Sequence, residues 1–437
     1  MKRKDIIKSL IAMKQDEIPF NVIQRDMELP LDSGQIITVP GVRRCGKSSL
    51  MMLAINRLVS QGVDKSRILW IGFDDERLYG MGTEGLDDIL SAYMEVFPTV
   101  PLKDVYMFFD EIQLVEKWEL FILRVYKSYC KNIFVSGSNA QMLSGELSSA
   151  LRGWPLEYEA YPLSFNEFCR FNKIDTSGVK ESDSARLRHA FADFNSSSAF
   201  PEIVLTPDRA IRDRKLQGYF NTMLFRDLIE HYELTNHEVV RYFLKRLLAN
   251  ISKPTSVNSI YKDIKSQGKK ISKDKLYELA DYVCEIFLFH RIGQYSKSIV
   301  KESNAPCKYY CIDNGLRNAV LMPQSGDEGK LLENTVLLHL LRNGDTSVKV
   351  SFFRNDKECD FVLQRGDTVS ELMQVTWDMT APETRKREIE GLLEASRYTG
   401  CDMLTIITAD EADIIEAEGK TITVWPAWKW LLHSRPA

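Results

Sequence analysis

The sequence predicts an α/β fold built around a parallel sheet, and three observations favour it. A glycine-rich segment, residues 41–48, joins a short apolar run to an amphipathic stretch. Two further apolar runs, residues 67–73 and 105–109, are separated by amphipathic stretches. The second of these runs ends in two carboxylates, Asp110 and Glu111. Such alternation of strand and helix patterns is typical of a parallel sheet with helices on both faces.

The composition is that of an ordinary globular protein. The chain has 437 residues, of which 44% are hydrophobic and 27% are charged, and its net charge is −4. A length of this kind corresponds to about two to four domains. The apolar runs are all shorter than the roughly 20 residues that span a bilayer, and no signal peptide is visible. We therefore expect a cytoplasmic protein with no membrane partner, in which any nucleic-acid surface is local.

Cysteine and histidine do not indicate a metal centre or a disulfide framework. The eight cysteines include no C-x-x-C pair, and the six histidines show no metal-ligand spacing. Reduced, buried cysteines are the expected outcome.

Residues 41–48 fit the phosphate-binding pattern G-x-x-x-x-G-K-[ST] and follow the predicted strand at residues 36–40. In such a P-loop, backbone N–H groups and the helix dipole point at the phosphates, Lys47 reaches the outer phosphates, and Ser48 holds Mg²⁺. A plain glycine turn beside a solvated lysine is the alternative. The sequence thus predicts ATP and Mg²⁺ as cofactors. The predicted nucleotide-binding residues are Gly41, Val42, Arg43, Arg44, Cys45, Gly46, Lys47, Ser48, Ser49 and Asn139.

Asp110 and Glu111 are the predicted catalytic partners of Lys47. They follow a buried apolar run, so they are expected at the carboxyl edge of the sheet beside the P-loop. There Asp110 can bind Mg²⁺ together with Ser48, and Glu111 can polarise the attacking water. The alternative is that the two carboxylates only begin the next loop.

The next apolar run, residues 132–135, is followed by Ser136, Gly137, Ser138 and Asn139. Ser138 and Asn139 are candidates for sensing the γ-phosphate by hydrogen bonding. A plain turn explains the same residues.

Several segments occur in an order that is similar to one protein family. These are residues 41–48, 109–113, 118–119, 136–139 and 161–168, followed more weakly by 200–202, 225–228 and 310–316. The chain resembles bacterial and archaeal AAA-family ATPases whose C-terminal half is a domain of unknown function. The resemblance implies a P-loop NTPase core over residues 1–172 and a helical lid or connector over 185–250.

One segment departs from the family pattern. Family members carry Leu-x-Gly-Arg before the 161–168 segment, whereas this chain has Leu151, Arg152, Gly153 and Trp154. Arg152 is a candidate arginine finger or intersubunit contact, with a solvated helix end as the alternative. AAA modules often build sites across subunits, so an oligomer is compatible with the sequence.

Residues 251–295 suggest short helices followed by a strand, and this order resembles a winged helix. A local cluster of lysines lies in the segment: Lys262, Lys265, Lys269, Lys270, Lys273 and Lys275. Such a cluster can contact a DNA backbone. The alternatives are a solvated face and a protein-interaction surface.

Residues 296–437 have an order of helices and strands that resembles a PD-(D/E)xK nuclease fold, which is an α/β restriction-endonuclease-like domain. Mapping by that order gives Glu333, Asp360 and Gln374 as a second metal site. Thr376 occupies the position at which the fold usually has lysine. An active nuclease and a degenerate domain that binds nucleic acid or protein both remain open.

These patterns together predict a Mg²⁺-dependent AAA ATPase whose nucleotide state is coupled to a nuclease-like domain, with DNA as the expected partner. The alternative is a nucleotide-dependent switch that binds a partner protein through a catalytically degenerate C-terminal domain.

Overall fold

The computed structural model describes residues 2–138, 155–177, 181–298, 305–322, 326–343 and 347–433. Contacts divide the chain into two units. The first comprises Met1–Tyr161 with Glu285–Phe287, and the second comprises Pro162–Cys284 with Leu288–Ala437. Each unit has its own sheet and its own apolar core. No helix within the described ranges has both the length and the apolar character needed to cross a membrane.

The first unit contains a five-stranded sheet in which all neighbouring strands run parallel. The strands are β1 (Ile36–Pro40), β2 (Ile68–Gly72), β3 (Tyr106–Asp110), β4 (Asn132–Gly137) and β5 (Pro155–Glu157). Their spatial order is β2-β3-β4-β1-β5. Every residue of β1 and β3 is buried, as expected for strands covered by helices on both faces. The predicted parallel sheet of a P-loop α/β fold is confirmed.

Helices precede or connect these strands. They are α1 (Arg3–Glu17), α2 (Lys47–Ser60), α3 (Gly85–Val96) and α4 (Trp118–Ser128), with short 3₁₀ turns at Lys65–Arg67, Glu76–Leu78, Leu102–Asp104 and Ile112–Leu114. Aromatic residues of adjacent strands pack inside the unit: the rings of Phe108 and Phe134 stack with centroids 4.5 Å apart. Stacked rings of this kind bury a large apolar area and hold β3 and β4 in register.

The second unit begins with helices. They are α5 (Phe165–Phe171), α6 (Glu181–Ser196), α7 (Pro201–Val204), α8 (Arg209–Thr222), a π-helical segment (Met223–Glu230) and α9 (His237–Ala249). The start of α5 is a capping box. Ser164 Oγ accepts from the Glu167 N–H at 3.0 Å, and Glu167 Oε2 accepts from the Ser164 N–H at 2.8 Å. These reciprocal bonds satisfy two backbone donors that a helix end otherwise leaves open.

A small antiparallel sheet follows, interleaved with helices. Its elements are β6 (Pro254–Thr255), α10 (Val257–Ser266), α11 (Lys273–Glu285), β7 (Phe289–Ile292) and β8 (Cys307–Cys311). β8 lies between β6 and β7 and pairs with both. Together with α9, the element order is helix, strand, two helices and two strands.

The last part of the second unit contains a six-stranded mixed sheet. Its elements are α12 (Asn314–Val320), α13 (Glu328–Asn343), β9 (Val348–Arg354), β10 (Glu358–Arg365), β11 (Thr368–Val375), α14 (Pro382–Thr399), β12 (Leu404–Thr408), β13 (Asp413–Ala417), β14 (Lys420–Pro426) and α15 (Ala427–Trp430). The spatial order is β13-β14-β12-β11-β10-β9. β11 and β12 run parallel, and α14 supplies the crossover that a parallel connection requires.

Candidate functional site

The glycine-rich loop adopts a backbone that requires glycine at its two ends. Gly41 has a φ of 150°, and a Cβ atom placed there would lie 2.2 Å from the Ala160 carbonyl oxygen. Gly46 has a φ of 101° and is the N-cap residue of α2. A left-handed φ and a close backbone approach both favour glycine. The loop therefore passes tightly from β1 into α2, with the helix N-terminus beside it.

Lys47 is buried beneath this loop, with only 3% of the residue exposed. Its Nζ donates to the carbonyl oxygens of Gly41 at 3.1 Å and Val42 at 3.3 Å, and lies 3.2 Å from Glu111 Oε1. Burial lowers the pKa of the Lys47 ammonium, but Glu111 and other nearby groups outweigh this effect and leave the pKa above its usual value. Lys47 is therefore charged and is held within the loop.

Asp110 ends β3 and lies against β4 and the start of α2. Its carboxylate accepts hydrogen bonds from the hydroxyls of Ser136 and Ser48. Burial raises the pKa of Asp110, and these two hydroxyls offset only part of the rise. The two residues predicted to bind Mg²⁺, Ser48 and Asp110, are thus in contact, and their oxygen atoms are the ligand type that Mg²⁺ prefers.

Glu111 has a left-handed backbone, with a φ of 53°. Its N–H donates to Ser136 Oγ at 3.1 Å, and its Oε2 accepts from Gln113 Nε2 at 2.6 Å. Gln113 Nε2 also lies 3.3 Å from Ser138 Oγ. Burial raises the pKa of Glu111, but Lys47, the Gln113 amide and Arg43 together lower it more, so the net pKa lies below its ordinary value. A left-handed conformation at a non-glycine residue is typical of functional sites.

Three residues around this site were not assigned a role from the sequence. Gln113 and Ser136 lie within the motif segments 109–113 and 136–139. The sequence therefore indicated that they lie near the site, but it did not indicate which residues they contact. Arg25 had no such signal, because it lies in no motif. It is buried and donates to the carbonyl oxygens of Cys45 at 3.0 Å and Tyr161 at 2.9 Å. Arg25 therefore fixes the glycine-rich loop from the side.

Two predictions fall outside the described residues. Asn139, the candidate γ-phosphate sensor, and Arg152, the candidate arginine finger, both lie within residues 139–154. Ser138 is described; it is buried and contacts Gln113.

The three residues predicted as a second metal site lie close together in the second unit. Lys308 Nζ donates to Glu333 Oε1 at 2.9 Å and to Asp360 Oδ1 at 3.0 Å. Gln374 Oε1 accepts from the Asp360 N–H at 3.0 Å. Burial raises the pKa of Glu333 to about 8, and the neighbouring Asp360 charge adds to the rise. Sequence reasoning missed Lys308, because β8 is far from α13 and β10 along the chain.

Comparisons with known proteins agree with the P-loop geometry. Residues 33–169 match the model of an AAA domain, and residues 190–326 match a domain of unknown function, DUF8612. An uncharacterized protein of Methanocaldococcus jannaschii is 31% identical over 421 residues, which cover 94% of this chain and 91% of the relative. The chain belongs to the same family as this archaeal relative and carries an AAA domain. The AAA part of the resemblance predicted from the sequence is confirmed.

Another relative of this AAA-domain protein is an uncharacterized protein of Haemophilus influenzae. It is 29% identical over 341 residues, which cover 77% of this chain and 82% of the relative. Among solved structures, Cdc6p from Pyrobaculum aerophilum aligns at 11% sequence identity with a TM-score of 0.24. The alignment covers 77% of this chain and 94% of that chain. DnaA from Aquifex aeolicus aligns at 13% identity, 63% of this chain, 86% of that chain and a TM-score of 0.27. At such TM-scores the alignments do not establish a shared architecture.

Proposed function

We propose that this AAA-domain protein binds ATP with Mg²⁺ and hydrolyses the γ-phosphate. The observation that carries the proposal is the meeting of Lys47, Asp110 and Glu111 at the glycine-rich loop, with Lys47 Nζ 3.2 Å from Glu111 Oε1. One cation for the phosphates, one carboxylate for Mg²⁺ and one carboxylate for the attacking water are what this chemistry needs.

Each side chain has a distinct task in the proposed reaction. Lys47 and the backbone N–H groups of the loop bind the β- and γ-phosphates. Ser48 and Asp110 would hold Mg²⁺, which would supply positive charge beside the phosphates. Glu111 is an ionised carboxylate at neutral pH because its pKa is low, so it can accept a proton from water.

The contacts of Lys47 also suggest how the site responds to nucleotide. Its three neighbours are two loop carbonyl oxygens and the Glu111 carboxylate. A phosphate group offers Lys47 a stronger anionic partner than a carbonyl oxygen does. Binding of ATP therefore draws Lys47 toward the phosphates and loosens its ion pair with Glu111, which frees that carboxylate for the water.

Replacement of Lys47 by Ala tests the ATP site. We expect the affinity for ATP to fall by at least about 30-fold, because truncating one partner of a buried charge pair costs about 2 kcal/mol or more. Isothermal calorimetry with ATP and Mg²⁺ measures the change, and circular dichroism checks that the variant is folded. Lys103→Ala, at an exposed position of the same unit, is the control. Equal affinity of a folded Lys47→Ala variant and the wild type would refute the proposal.

We further propose that the second unit contacts DNA through the segment from α9 to β8. Its order of helix, strand, two helices and two strands, with β8 between β6 and β7, resembles that of a winged helix and supports the proposal. Five lysines of the cluster predicted from the sequence are exposed: Lys262, Lys265, Lys270, Lys273 and Lys275. The ammonium of Lys265 lies 5.5 Å from the ring of Tyr261, and that of Lys273 lies 5.7 Å from the ring of Tyr277. A lysine surface with aromatic rings supports backbone binding without sequence readout.

Removing four positive charges tests the proposed DNA surface. Replacing Lys262, Lys265, Lys273 and Lys275 by Gln is expected to weaken DNA binding and to flatten its salt dependence. The slope of log K against log salt is negative, and each lost phosphate contact makes it shallower by about 0.9. Fluorescence anisotropy with a labelled duplex at several salt concentrations measures the slope.

The matched control replaces four exposed lysines of the first unit by Gln: Lys103, Lys117, Lys127 and Lys131. It changes the net charge equally. Equal slopes for the two variants would contradict the DNA proposal and would favour the protein-binding switch.

A further inference from the structure

The side chain of Lys308 on β8 is completely buried, with an exposed fraction of 0%. Its ammonium lies at the centre of three carboxylates. Nζ is 2.9 Å from Glu333 Oε1, 2.8 Å from Glu358 Oε1 and 3.0 Å from Asp360 Oδ1. A lysine ammonium has three N–H donors. All three N–H donors therefore have a carboxylate oxygen within hydrogen-bonding distance.

The carboxylates around Lys308 are themselves held in place. Tyr310 donates its hydroxyl to Glu333 Oε1 at 2.7 Å. Asp360 Oδ2 accepts from the Val375 N–H at 3.0 Å, so its Oδ1 is left facing Lys308. Preorganised oxygen atoms of this kind are what a metal site also uses.

Gln374 is turned away from the centre of this cluster. Its Oε1 accepts from the Asp360 N–H at 3.0 Å, and its Nε2 donates to Glu388 Oε2 at 2.5 Å. Both ends of the amide are therefore engaged at the periphery. The oxygen atoms that face the centre come from Glu333, Glu358 and Asp360, and the cation they surround is Lys308.

The charges of the cluster explain why it has no room for a second cation. Three neighbouring carboxylates, of which Glu333 and Asp360 are buried and Glu358 is partly exposed, repel one another when ionised unless a cation lies between them. A buried ammonium is in turn costly unless carboxylates surround it. A divalent ion would need the same oxygen atoms at about 2.0–2.1 Å for Mg²⁺. The ammonium and a divalent ion cannot share them, because the two cations would also repel each other.

We propose that Lys308 is the resident cation of the Glu333–Glu358–Asp360 cluster, so that the cluster binds no divalent ion and the C-terminal domain does not cleave nucleic acid. The proposal goes beyond the ATPase and the DNA surface, and it reverses the metal role predicted from the sequence. The cluster also ties the small sheet containing β8 to α13 and β10, so its task is structural coupling within the second unit.

Metal titration of the nucleotide-free full chain tests the proposal. Free Mn²⁺ is followed by electron paramagnetic resonance. The wild type is expected to bind no Mn²⁺ that depends on Asp360, so that the wild type and Asp360→Asn give the same titration. Lys308→Met is expected to gain about one bound Mn²⁺ per chain, because it leaves three facing carboxylates without a cation. The double variant Lys308→Met/Asp360→Asn is expected to lose that ion.

Lys357→Met is the matched control, since Lys357 lies beside β10 and pairs with a partly exposed carboxylate, Glu390, at 2.8 Å. It is expected to gain no ion. If the wild type binds one Mn²⁺ per chain and Asp360→Asn removes it, the proposal is overturned, and Lys308 becomes a candidate for the missing nuclease lysine. A folded Lys308→Met variant that binds no Mn²⁺ would also overturn it. If Lys308→Met does not fold, comparing the Mn²⁺ titration of the wild type with that of Asp360→Asn still tests the proposal.

Discussion

Replacing Glu111 by Gln is expected to lower ATP turnover by about two to four orders of magnitude, the range that a general base contributes to catalysis. Glu111 is the carboxylate that the structure places beside Lys47, and Gln113 holds its other oxygen at 2.6 Å. The substitution keeps the size of the side chain and its contact with Gln113, but an amide cannot accept the proton from water. Release of inorganic phosphate under steady-state conditions measures the loss.

The same substitution has an opposite consequence for binding. In the proposed mechanism Glu111 competes with the nucleotide for Lys47, since the Lys47–Glu111 ion pair must loosen before the ammonium reaches the phosphates. The Gln variant lacks this competing charge. We therefore expect calorimetry to give ATP affinity equal to or tighter than that of the wild type, in contrast to Lys47→Ala.

Glu116→Gln is a suitable control, because Glu116 is a solvent-exposed carboxylate that follows β3 in the sequence, as Glu111 does. Its turnover should match that of the wild type. If Glu111→Gln hydrolysed ATP at the wild-type rate, Glu111 would not be the general base. Another group would then have to accept the proton from water.

Gly41→Ala is expected to destabilise the first unit by about 2–6 kcal/mol, because backbone strain and overpacking each contribute about 1–3 kcal/mol. The added Cβ would lie 2.2 Å from the Ala160 carbonyl oxygen. Ala160 cannot easily retreat, since its N–H donates to the Pro40 carbonyl oxygen at 2.7 Å. The loop would have to shift, and ATP binding should be lost with it.

A second glycine separates the clash from the backbone preference. Gly62 also has a positive φ, 88°, but a Cβ atom placed there would meet nothing within 4 Å. Gly62→Ala should therefore cost only about 1 kcal/mol and leave ATP binding unchanged. Thermal unfolding and ATP calorimetry on both variants provide the comparison. Similar losses of stability and binding in the two variants would show that the contact with Ala160 is not the cause.

The local patterns of the sequence were sufficient to predict the P-loop and the parallel sheet around it. The P-loop is eight consecutive residues with a defined backbone shape, and Asp110 with Glu111 follows a buried strand directly. In a parallel sheet the carboxyl ends of the strands meet at one edge, so motifs that end strands come together whatever the rest of the chain does. The prediction that Glu333 and Asp360 belong to one site had a different basis, the resemblance of the element order to a nuclease fold.

Only the tertiary structure decided which other side chains complete these two sites. Arg25 reaches the loop from a segment without regular structure, and Lys308 reaches its three carboxylates from a different sheet. Neither residue lies in a motif, and a lone arginine or lysine in a sequence is most often a solvated surface residue. Their roles arise from burial beside carbonyl or carboxylate oxygens contributed by distant parts of the chain. Burial of that kind is set by how elements pack, and periodicity or spacing along the sequence does not encode it.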